Sequence, residues 1–109
     1  MMHKRFFLIF TLFFSGGFSN KLKAGYFQNI QPRNETEYYL YGGGLGSAST
    51  LCDLLVGNEI SFTTAKTFKK NFLSVFENDK RQFSVVKGGF DDGLSVMREE
   101  GYEYKKCNF

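Results

Sequence analysis

The chain has 109 residues, room for one domain. Fourteen basic residues face eleven acidic ones, with one histidine, two cysteines and no tryptophan. Four of the bases fall within the first 23 residues, so no basic stripe is left to neutralise phosphates, which argues against nucleic-acid binding.

The chain opens on a basic "MMHKR", continues as "FFLIFTLFF" (6–14) and leaves through small residues, "SGGFSN". That layout is a secretory signal peptide. Nine residues at about 1.5 Å each reach roughly 14 Å, half of the ~30 Å hydrocarbon core, too short for a spanning helix. Residues 1–19 are read as the leader, with cleavage after Gly17, after Ser19 or as late as Ala24. Membrane contact is then confined to the leader. The expected location is the periplasm, a thylakoid lumen or the extracellular space. Cleavage after Ala24 leaves ten bases against eleven acids and removes His3, the only histidine. A chain without histidine lacks the usual general base near neutral pH and the commonest zinc ligand. No catalytic residue, metal site or cofactor is expected.

"KLKAGYFQNIQPR" has no periodicity and ends beside the only proline, Pro32. Residues 20–33 are read as a mobile or loosely docked arm, and 34–109 as a helical domain. "NETE" opens the first helix: Asn34 can accept free backbone amides, Glu37 can reach back, and both acids lie at the positive end of the dipole. Tyr41, Leu45, Ala48, Cys52 and Leu55 then recur at steps of three and four, predicting a helix over 35–56 stopped by Gly57 and Asn58. Ala65, Phe68, Phe72 and Phe76 predict a second over 64–76, capped by Thr63 or Thr64. Asp79 and Gln82 form another capping box. Phe83, Val86, Phe90, Leu94 and Met97 predict a third helix over 80–100, capped by Gly101. The acidic pairs Asp91–Asp92 and Glu99–Glu100 and the lysine pairs at 69–70 and 105–106 read as solvated charges, because helix neighbours point about 100° apart.

"YGGGLGS" lacks the lysine and following Ser or Thr of a Walker loop and the preceding strand of a dinucleotide site. Glycine costs a helix interior about 1 kcal/mol relative to alanine, so four of them need an offset. Gly42 and Gly46, and Gly89 and Gly93, are spaced four apart on the flanks of the first and third stripes. They are expected to let these two helices cross closely. Cys52 and Cys107 are the only cysteines, 55 positions apart, and in an exported chain they read as a disulfide worth about 4 kcal/mol. The fold class is therefore all-α, a small three-helix bundle closed by one disulfide.

The stretch "YGGGLGSASTLCDLLVGNEIS", the tail cysteine and a phenylalanine- and lysine-rich composition resemble the small exported helical proteins encoded in picocyanobacterial genomes. The likeness covers residues 38–73, implies export and helical structure, and brings no activity or site. A weaker likeness, to the periplasmic acid-stress chaperones, extends to architecture alone. The reading is an exported, non-enzymatic protein that binds another, extracytoplasmic protein, with Tyr38, Tyr39, Tyr102 and Tyr104 as its candidate partner surface; Tyr26 and Phe27 also fall outside the stripes. The competing classes are a membrane-active or immunity-type peptide, favoured by the charge-free run from 38 to 52, and a holdase-like chaperone.

Overall fold

In the computed structural model, which describes residues 26–109, the Asn34 side chain accepts the Glu37 amide at 3.0 Å and opens α1, Glu35–Val56. The expected leader and residues 20–25 lie outside the described residues. Helix α1 ends in a Schellman closure: Glu59 N–H donates to the Leu54 carbonyl at 2.8 Å and Asn58 N–H to that of Leu55 at 3.1 Å. The left-handed residue of this closure is Asn58, at φ 60°, while Gly57 keeps a φ of −78°. Helix α2, Phe62–Ser74, begins two residues earlier than expected because Ser61 is its cap, its hydroxyl accepting the Thr64 amide at 3.1 Å. Helix α3, Lys80–Arg98, starts at Asp79, which accepts the Gln82 amide. It stops at Glu99, ahead of Gly101. That glycine is extended and leads instead into a short 3₁₀ helix, Tyr102–Lys106.

Helices α1 and α3 form the frame. Glu37 meets Arg81, Tyr41 meets Gly89 and Leu45 meets Gly93, so the partners advance together and the two helices run parallel. Their backbones touch. A Cβ on Gly44 would overlap the Val86 carbonyl and lie 2.8 Å from the Phe90 nitrogen; one on Gly89 would overlap the Tyr41 carbonyl; one on Gly93 would sit 2.8 Å from that of Leu45. Gly42 and Gly46, expected at this crossing, are not there: a Cβ on either would meet no described residue within 4 Å. The contact lies on the opposite flank of the Tyr41–Leu45 stripe, where Gly44 is the small residue.

The buried stripe of α1 continues through Ala48, Cys52 and Leu55, which pack with Phe90, Leu94 and Met97 of α3. Burying a side chain the size of Leu55, Leu94 or Met97 contributes about 1.5–3 kcal/mol. Cys52 and Cys107 form the disulfide, their Cα atoms 5.4 Å apart and both cysteines wholly buried. The bridge brings the tail onto the core, where Tyr104 is buried and Phe109 packs against Phe90. Helix α2 is the outlying member. It buries Ala65 and Leu73 and inserts Phe72 beside Phe90, but Phe68, expected in its core stripe, is 46% exposed and stacks on Phe72 at 5.9 Å.

The arm is docked over 26–33. Tyr26 and Pro32 are buried, and Ile30 fills the space that the missing Cβ of Gly88 leaves open on α3. Of the arm read from the sequence as mobile or loosely docked, residues 26–33 are docked, held by side chains elsewhere in the chain.

Candidate functional site

Helix α1 has a second, outward face. Tyr39, Gly42, Gly46 and Thr50 succeed one another at steps of three and four, with Gly43 beside them, and all five are exposed. Bare helix backbone thus lies next to Tyr39, which is 74% exposed. Tyr38 borders this face at 48% exposure; its hydroxyl accepts the Gln31 amide at 3.1 Å and its ring meets Phe27 edge-on. The other two candidate tyrosines do not join it. Tyr104 is 6% exposed and belongs to the core around the disulfide. Tyr102 is 90% exposed but sits at the disulfide end, and thirteen residues of helix, about 20 Å, separate Tyr39 from Cys52.

The inner side of α1 and α3 holds two carboxylates that local spacing does not reveal as buried. Asp92, read from the sequence as solvated, has no exposure. One oxygen accepts the Tyr41 hydroxyl at 2.6 Å and the Gln28 amide at 3.1 Å; the other accepts the Asn29 backbone amide at 3.2 Å and its side-chain amide at 2.5 Å. The Tyr41 hydroxyl in turn accepts the Phe27 N–H at 2.7 Å, and the two rings stack at 4.8 Å. Burial first, and then the bond to Asp92, hold the Tyr41 hydroxyl well above the usual phenol range. Phe27 itself adopts φ 61°, a left-handed conformation rare for a bulky residue, which this set of contacts over-determines. Asp92 is a fastening for the segment 27–29. With no solvent contact and four donors on two oxygens, it is committed to that role.

Glu37 fastens the same segment at its far end. Its carboxylate accepts both the Arg81 guanidinium, at 2.8 and 3.0 Å, and that of Arg33, and the Arg33 backbone N–H at 2.9 Å. The expected capping box is displaced by one residue, the backbone donor being Arg33 instead of Asn34. Arg81 first, then Arg33, hold this carboxyl far below the usual carboxylate range. Arg81 also donates to the Gln31 carbonyl at 3.0 Å, so one cation ties the docked arm, a strap over residues 26–33, to α1 and α3. A signal for Asp92 exists in the sequence: Val85, Gly88 or Gly89, Asp92 and Val96 form a second stripe on α3, all buried.

Asp91 and Asp92 diverge as helix neighbours must. Asp91 turns outward to Lys87 at 2.8 Å and Lys69 at 3.5 Å. Among the described residues no three His, Cys, Asp or Glu side chains converge as a metal-ligand set, and no helix is long and apolar enough to cross a membrane. The arrangement offers fastened carboxylates and one bare, aromatic-edged helix face. Comparison with protein-family models, with curated proteins and with solved structures finds no match.

Proposed function

We propose that this is an exported protein without catalytic activity that acts by binding another protein through the outer face of α1. The carrying observation is the open space around Gly42, Gly43 and Gly46 beside Tyr39. Each of these glycines costs the helix about 1 kcal/mol relative to alanine, and no contact among the described residues offsets it. A partner element laid against bare backbone does, and an exposed tyrosine is a common anchor at such contacts. The disulfide supports export, since such bridges persist in oxidising compartments.

A photo-crosslinking residue at position 39, with one at position 102 as control, tests the reading in the protein's own extracytoplasmic fraction. Adducts are expected at 39 and not at 102, and Gly43→Leu or Gly46→Leu should abolish them without lowering the melting temperature. Equal yields at both positions, or adducts insensitive to the leucines, overturn it. Intact mass with thiol alkylation before and after reduction checks export separately: a leaderless mass that takes up the reagent only after reduction is expected.

A further inference from the structure

The solvent side of α3 carries a recess of about 420 Å³ to which no α1 residue contributes. Asp91, Ser95 and Arg98 line it from successive turns of α3, Asn29 closes one end from the strap, and Asn108 comes from the disulfide-held tail. Its volume lies at the small end of ligand pockets, which run from about 300 to 1,000 Å³.

The lining carries one acid and one base, Asp91 and Arg98. Asp91 is engaged by two lysines that do not line the recess, Lys87 at 2.8 Å and Lys69 at 3.5 Å, and Lys69 also donates to the Phe109 carbonyl at 2.9 Å, which leaves Arg98 as the cation facing the recess. Arg98 is pinned by donating from Nη1 to the Cys107 carbonyl at 2.8 Å, which occupies one of its five N–H donors and leaves a planar fork in place. The side chains of Ser95 and Asn108 make no hydrogen bond to any described residue, so a hydroxyl and a carboxamide stand ready beside the guanidinium. Leu94 and Phe109 supply an apolar wall. A pinned guanidinium, two uncommitted donors and a small apolar surface fit one chemistry.

We propose that this recess binds a small organic acid, its carboxylate taken by Arg98 with Ser95 and Asn108 and its short apolar part lying on Phe109. The inference stands apart from the α1 face and survives or fails without it.

The probes are isovalerate, its neutral isostere isovaleramide, and a short peptide ending in a free leucine carboxylate, each titrated into the oxidised protein while backbone amide shifts are followed. Isovalerate is expected to shift Asn29, Ser95, Arg98 and Asn108 saturably, and isovaleramide to leave them still. Arg98→Gln should weaken binding about tenfold or more. Because Arg98 also holds the tail, Ser95→Leu is the second variant: it fills the recess and should remove binding with the melting temperature kept. Isovaleramide binding as well as the acid, unsaturable shifts, or unchanged binding by Ser95→Leu overturn the proposal. Binding of the peptide without isovalerate assigns the recess to chain termini and overturns the small-acid reading.

Discussion

Helix α1 carries glycines on two opposite faces, and the same residue type acts differently on each. On the inner face, Gly44 lies against the backbone of α3 near Val86 and Phe90, and Gly89 and Gly93 answer it from the other helix. On the outer face, a Cβ on Gly42, Gly43 or Gly46 would meet no described residue within 4 Å. The inner set trades helix propensity for contact between backbones. The outer set has propensity to lose and no contact among the described residues to show for it, which is the difference behind the proposed partner.

Adding one methyl group separates the two sets. Gly44→Ala and Gly89→Ala put a Cβ into backbone that cannot move aside, an overpacking cost of about 3 kcal/mol against roughly 1 kcal/mol gained in propensity. A net loss of about 2 kcal/mol should lower the melting temperature by about 10 °C. Asp92→Asn asks whether the close approach also needs the strap. It turns an amide group toward donors, at a cost of about 1–2 kcal/mol, and should speed hydrogen exchange at the Gln28 and Asn29 amides. Unchanged exchange there would mean that the strap is held by Ile30 and the arginines alone.

Gly42→Ala, Gly43→Ala and Gly46→Ala should each stabilise the isolated chain by about 0.5–1 kcal/mol, read as a higher denaturation midpoint. A loss at these positions would erase the contrast between the faces. A pH dependence belongs to the end of the inner face. The folded Glu37 carboxyl titrates far below its ordinary value of 4.5, so its contribution is complete above about pH 5 and is lost as pH falls from there through the folded value. The stability deficit of Glu37→Gln against the unaltered chain should therefore be constant above about pH 5 and shrink on acidification. A deficit that is constant from neutral pH down to about pH 2 would show that Glu37 acts by packing instead of charge.

Helix positions were legible because caps and apolar steps are local: Asn34, Asp79 and the Tyr41-to-Leu55 stripe each signal within a few residues. The cysteine pairing was legible because there are only two. Which glycines meet was not, since a stripe has two flanks and the local pattern does not say which one faces α3. Asp92 was legible only as a place in the stripe with Val85 and Val96, not as a buried carboxylate. Its backbone donors come from residues 63 and 64 positions earlier, in a segment without periodicity, and a charged residue reads as solvated until such donors are known. Tyr104 was misplaced for a related reason, because a tail carried inward by a disulfide takes its neighbours with it.

Pairing α1 with α3 instead of with its chain neighbour makes the defining contacts of this helical protein remote in sequence. Glu37 and Arg81 are 44 positions apart, Tyr41 and Asp92 are 51, and the cysteines are 55. The entropy of closing loops of that length must be met before the backbones touch, so refolding of the reduced chain should be slow for an all-helical domain of this size. With the disulfide intact the ends of that loop never part, and the oxidised chain should refold faster by shortening the search instead of by strengthening any contact.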